Sequence, residues 1–303
     1  MPCSLHHISE QQEDPLTQQV AVVTDTTACI PQEQVARYDI EIVPVQLIFG
    51  DKTYRDGIDI SAAEFYKRLR QASKPPTTAS SSPELYSEAF QKAVKRAESI
   101  FCITEPSKFS AMYNSASVAK EMVAKTLPDV NVEVLDCTTA AAGQGLVALA
   151  AAKAAVTGRS LGEVKAAAEL VMERVNLFAT LDTLQYLAKS GRVPQAAALV
   201  NSILQIKPVF TLNHASAHTV ALPRTIPSAM KRILKLMERN VVKGELLHVA
   251  VMHADAPDNA TALQNRIASQ FNCSELFITE FTPVMGVHTG PGLIGVAFYS
   301  ESA

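Results

Sequence analysis

Runs of almost uninterrupted apolar residues alternate with helix-like segments through the first half of the chain. The runs lie at 19–25 (QVAVVTD), 40–49, 99–104 (SIFCIT) and 132–136. A strand that is apolar on both faces offers none to water, so it belongs inside a parallel sheet covered by helices on both sides. Parallel neighbours also require a crossover between them, usually a helix. The intervening segments supply it.

The helix boundaries are signalled locally. Ser61 with Glu64 forms a capping box, and Ile60 and Phe65 stand where a hydrophobic staple would close it. Ser82 precedes Pro83, a good first helical residue, and this helix is expected to run to about Glu98. Further helices are expected over 110–127 and through an alanine-rich stretch to Val156. Gly158 stops that stretch, and Ser160 with Glu163 caps the next. Gly50-Asp51 turns the second strand back into 52–55, and the Pro, Thr and Ser residues up to Ser82 read as a loop.

The second half reads differently. A strand over 177–181 is followed by two short helices flanking Gly191-Arg192, then by a hairpin of 208–212 and 219–222. Helices over 228–240 and 258–271, a strand over 248–253 and two late strands complete it. The expected fold is therefore α/β with two domains. Residues 19–177 would form an N-terminal three-layer α/β/α domain with a parallel sheet, and 178–303 a C-terminal α/β domain with a mixed sheet. Residues 1–18, polar and without a basic start or apolar stretch, read as a disordered extension.

Composition narrows the function classes. Lys and Arg number 27 against 30 Asp and Glu, and the basic residues gather into no stripe that would neutralise a nucleic-acid backbone. Lys67, Arg68, Arg70 and Lys74 read as a solvated helix face. Five scattered cysteines contain no C-x-x-C pair, which fits a reducing compartment and neither a disulfide framework nor a zinc site. No run is long enough to span a membrane, so the expectation is a soluble, cytoplasmic protein without stable membrane insertion.

Three loops gather small hydroxyl residues after strands: Thr24 to Thr27, Thr77 to Ser82, and Ser107 with Ser110. Strand ends facing helix N-termini hold anions, and hydroxyls add donors without charge, so these loops suit a carboxylate or phosphate cradle; Ser and Thr are equally good caps and turn formers. The segment 283–292 places Gly286, Gly290 and Gly292 around His288, with Gly295 just beyond. This reads either as a loop bringing backbone and imidazole to a ligand, or as a tight turn between strands. The stretch from Gly143 to Ala148 matches G-x-G-x-x-A, but six residues separate it from the preceding strand, so helix packing explains it better than dinucleotide binding. No nucleophile elbow, H-E-x-x-H or P-loop occurs, His214 and His218 make at best a weak surface metal site, and no cofactor is implied.

Six motifs in order resemble the DegV family of bacterial lipid-binding proteins: VTDTTACIP (23–31), PPTTASSSP (75–83), ITEPSKFSAMYNSA (103–116), VEVLDCTTAAAGQGL (132–146), LDTLQYLAKSGRVPQAAALVNSILQIKPV (181–209) and PVMGVHTGPGLIGVAF (283–298). The resemblance implies a long-chain fatty acid in an apolar tunnel between two domains. It also implies a role as the non-catalytic binding subunit of a fatty acid kinase, whose separate catalytic subunit phosphorylates the carboxylate with ATP. Carried over by position, Thr78, Ser107, Ser110 and His288 would bind the carboxylate, and Arg192 with His288 would serve phosphotransfer or kinase docking. The chain departs from the pattern at Ala79, at Glu105-Pro106, at Ala111-Met112 and at Ser190. The alternatives are a stand-alone lipid sensor or carrier, or a serine hydrolase using Ser107 or Ser110 with His288.

Burial of each methylene is worth about 0.8 kcal/mol, so a long acyl tail would contribute on the order of 10 kcal/mol before binding costs. Neutral hydrogen bonds to the headgroup add only about 1 kcal/mol each. The tail would supply affinity and the hydroxyls orientation.

Overall fold

The computed structural model describes residues 18–194, 196–197 and 206–301. The N-terminal extension and most of the second short helix after Arg192 lie outside the described residues. Among the described residues no helix is long and apolar enough to cross a membrane.

The first half builds a four-stranded parallel sheet in the order β2-β1-β6-β7, from β1 (Gln18–Asp25), β2 (Glu41–Val43), β6 (Ala97–Thr104) and β7 (Asn131–Asp136). Its crossovers carry helices α1 (Gln32–Arg37), α2 (Ala62–Gln71), α3 (Pro83–Ala93) and α4 (Met112–Thr126). The chain reverses its winding between β1 and β6, so the carboxyl ends of these two strands flank a crevice suited to ligands.

Three local expectations are corrected. The run over 40–49 is not one strand: Pro44 divides it into β2 and β3 (Gln46–Phe49), which belong to different sheets. Proline lacks the N–H that a continuous ladder needs. β3 pairs with β4 (Lys52–Arg55) and with β5 (Thr77–Ala79), so part of the expected Thr/Ser loop is a strand. Helix α3 ends at Ala93, because the chain must turn before Ala97 pairs with Gln18.

The second half forms a six-stranded mixed sheet ordered β10-β9-β8-β13-β11-β12. Its strands are β8 (Asn176–Thr180), β9 (Val209–Asn213), β10 (Ser216–Ala221), β11 (Leu247–His253), β12 (Cys273–Glu280) and β13 (Ile294–Ser300). Only β11 and β12 run parallel. The hairpin β9–β10 is tighter than expected: His214 and Ala215, both at positive φ, make a two-residue turn whose twist matches the strands.

Alternation along these strands divides the interior. Phe178, Val249, Val251, Val296 and Phe298 face α8 (Ile226–Asn240) and α9 (Pro257–Gln270) in one cluster. Leu177, Ala179, Phe210, Met252 and Ala297 face the opposite way and merge with the core of the first half. The alanine-rich α5 (Ala142–Val156) lies between the two sheets and is buried almost all round, with α6 (Leu161–Arg174) beside it. Small residues let both sheets approach this one helix. A Cβ on Gly145 would stand 2.5 Å from the Ala28 carbonyl oxygen, so the G-x-G-x-x-A stretch is a packing surface.

Candidate ligand-binding site

Between the inward face of the mixed sheet and the first half lies an apolar cavity of about 140 Å³. Leu177, Ala179, Phe210 and Met252 form its sheet side, and Phe109, Ala140 and Ala141 its opposite wall. A smaller polar chamber adjoins it, lined by Thr27, Thr78, Ser80 and Ser110. Glu105, Phe109, Arg192, Met285 and His288 border both spaces and so form the neck between them. Glu105 follows β6, at the crevice that the reversal of winding creates.

The chamber is assembled from distant pieces. Thr78 sits on β5, held by β3. His288 stands in the last turn of α10 (Pro283–Thr289), a helix where the glycine spacing had suggested a loop or turn. Three contacts fix α10. Asp56 accepts a hydrogen bond from the Val284 amide at 3.2 Å, the buried Tyr66 hydroxyl donates to the Phe281 carbonyl at 3.3 Å, and Gly286 lies flat on Phe65 and Tyr66 of α2.

Thr78 Oγ1 and His288 Nε2 are within hydrogen-bond distance at 3.1 Å. His288 Nδ1 is buried and has no partner. Burial pushes the His288 imidazole down to about 4, and the Arg192 guanidinium acts in the same direction, so the ring is neutral near pH 7. A neutral imidazole has one donor and one acceptor nitrogen. Arg192 is exposed at the rim, following α7 (Gln185–Ser190), and its Nη1 donates to the Ser190 carbonyl at 2.7 Å.

The three hydroxyl loops converge only in part. Thr78, Ser80, Ser110 and Thr27 reach the chamber, whereas the Ser81 hydroxyl donates to the Pro44 carbonyl. Ser107 turns away: its amide and hydroxyl both bind Asp136, at 2.8 and 2.5 Å, and it borders neither space. Asp25 is buried and accepts from the Thr27 and Glu105 amides at 2.9 and 3.1 Å and from Gln144, so this carboxylate ties the strand ends together.

The sequence profile of the DegV family, described as an uncharacterised protein family, matches residues 19–301. The chain belongs to the DegV family. A DegV domain-containing protein of Streptomyces coelicolor is 33% identical, across 94% of this chain and all of that protein. A Thermus thermophilus DegV family protein, solved in a study of its fatty acid binding, superposes with a TM-score of 0.86 at 28% identity, covering 93% of this chain and 99% of that one. DegV of Bacillus subtilis, described as a fatty acid binding protein, gives 0.84 at 26% identity over 94% and 100% of the two chains. The two-domain α/β fold with parallel and mixed sheets is thus the DegV fold.

Sequence reading missed the residues that hold this site together. Asp56, Tyr66 and Gln144 act through contacts with elements far along the chain, and no short motif marks such contacts. Glu105 stood out in the sequence as a departure, but its position at the neck needed the fold. Among the described residues no group of three or more His, Cys, Asp or Glu could hold a metal ion.

Proposed function

We propose that the chain binds a long-chain fatty acid between its two sheets, tail in the apolar cavity and carboxyl group in the Thr78–His288 chamber. We further propose that it presents this carboxyl to a separate kinase subunit for ATP-dependent acyl phosphate formation. The observation that carries the reading is the apolar cavity ending at a neck where a buried imidazole nitrogen lacks a partner. A carboxylate oxygen accepting from His288 Nδ1–H would complete that nitrogen's hydrogen bonding. Nε2 would then accept from the Thr78 hydroxyl, which holds the ring in this tautomer, and Ser110 offers its hydroxyl to the same headgroup. Fatty acid binding by the Thermus and Bacillus proteins supports the same ligand class.

A cavity of about 140 Å³ is close in size to an engineered cavity that accepts benzene, so a long tail needs the lining to give way. Met252 and Met285, unbranched and flexible, suit that adjustment. Neutral donors leave the carboxyl oxygens free to attack a phosphoryl group, and the exposed Arg192 at the rim would meet the incoming phosphate or the kinase. The hydrolase alternative is disfavoured by geometry. The hydroxyl that meets His288 belongs to Thr78, not to Ser107 or Ser110, and no carboxylate orients the other ring nitrogen. Incubating lipid-loaded protein with a fatty acid kinase catalytic subunit and ATP tests the presentation role. Acyl phosphate formation supports it; bound fatty acid that stays unphosphorylated points to a stand-alone carrier or sensor.

A further inference from the structure

We propose that Glu105, at the neck between the apolar cavity and the Thr78–His288 chamber, shares a proton with the ligand's carboxyl group, so that binding takes one proton from solvent. This rests on the fatty acid reading and adds to it a chemical condition on the headgroup. The geometry is the basis. Glu105 borders both spaces, so a tail in one and a headgroup in the other bring the ligand's acid group beside the Glu105 carboxyl. Two carboxylates at close quarters in a poorly solvated site do not both remain ionised; one proton held between them replaces repulsion with a strong hydrogen bond.

The surroundings favour that proton. Behind Glu105 stands the Asp25 carboxyl group at the end of β1, itself pushed up by burial; burial first, and Asp25 second, push Glu105 up to about 7. Opposing this are the Ser110 hydroxyl at the start of α4 and the Arg192 guanidinium after α7. His288, from α10, is neutral and adds no charge near pH 7. Cys29 and Tyr86 also feel Glu105, but burial holds the thiol at about 12 and the phenol well above its usual range. Asp136, at the end of β7, is engaged by Ser107. Without the extra proton, Glu105 and the ligand would set two carboxylates side by side next to the buried Asp25, with one exposed guanidinium to oppose them. The titration belongs to the Glu105–ligand pair as a unit.

The test is calorimetric titration of the full chain with dodecanoate, below its aggregation concentration, at pH 8 in two buffers of different ionisation enthalpy. Uptake close to one proton per ligand is expected, with Kd rising about fivefold from pH 7 to 8 and about tenfold from pH 8 to 9. Glu105→Gln, checked for folding by circular dichroism, should bind without proton uptake and without that pH dependence. Binding by the wild-type protein with no proton uptake would overturn the Glu105 inference alone. No binding of dodecanoate, palmitate or oleate at any pH would overturn the fatty acid reading and this inference with it. Uptake that persists in Glu105→Gln would assign the proton elsewhere and overturn the role of Glu105.

Discussion

Thr78 Oγ1 and His288 Nε2 stand 3.1 Å apart although 210 positions separate them in the chain. The contact joins the small three-stranded sheet of the first half to the helix that leads into β13. It therefore records the closure of the two halves over the cavity, and the properties of the site follow from how that closure is held.

Replacing Thr78 by valine keeps the shape and removes the hydroxyl. One neutral hydrogen bond is worth about 1 kcal/mol, so fatty acid affinity should fall severalfold, not collapse. Competitive displacement of a fluorescent fatty acid reads the change. A loss of a thousandfold or more would mean that the headgroup, not the tail, dominates binding.

Arg192→Ala and His288→Ala separate holding from presenting. Both proteins should retain bound lipid on purification and lose acyl phosphate formation with the kinase subunit. Loss of lipid from both would mean that the headgroup contacts, and not the buried tail, dominate binding.

Gly286→Ala tests the seat of α10. The added Cβ would lie 2.6 Å from a Phe65 ring carbon and 2.7 Å from the Tyr66 hydroxyl. Overpacking of this kind costs about 1–3 kcal/mol, so Tm should fall by several degrees. Gly162→Ala, on α6 with nothing within 4 Å of the new Cβ, should instead be neutral or gain up to about 1 kcal/mol.

Stability should also report Glu105. Its pKa in the folded chain is raised to about 7 from 4.5, so the folded state binds the extra proton between those values. Stability from this group is full below about pH 4.5 and is lost as pH rises through 7. At pH 8 Glu105→Gln should be more stable than the wild-type chain, by about 3 kcal/mol, and the difference should vanish toward pH 4.5. Urea melts of the two proteins at both pH values measure it.

Much of the fold was legible because its signals are local. Continuous apolar runs marked the buried strands, and Ser61, Ser82 and Ser160 marked helix starts that the structure retains. Pro44 was equally visible, yet only pairing partners reveal that it sends β2 and β3 into different sheets. The site was legible as residue types: Thr78, Ser110, Arg192 and His288 all border the chamber. Ser107 has the same chemistry and binds Asp136 instead, a choice made by tertiary geometry. The helical form of 283–289 was hidden by Gly286 within it and by Gly290 and Gly292 just beyond, because glycine disfavours helix locally. Gly286 is tolerated because packing on Phe65 and Tyr66 requires it.

The most direct test is solvent extraction and mass spectrometry of the protein purified from a bacterial host, followed by titration of the delipidated chain with palmitate and oleate. A stoichiometric long-chain fatty acid in the extract, and its rebinding with loss of affinity in Thr78→Val, is the predicted result. An empty extract together with no uptake of either added acid would contradict the account.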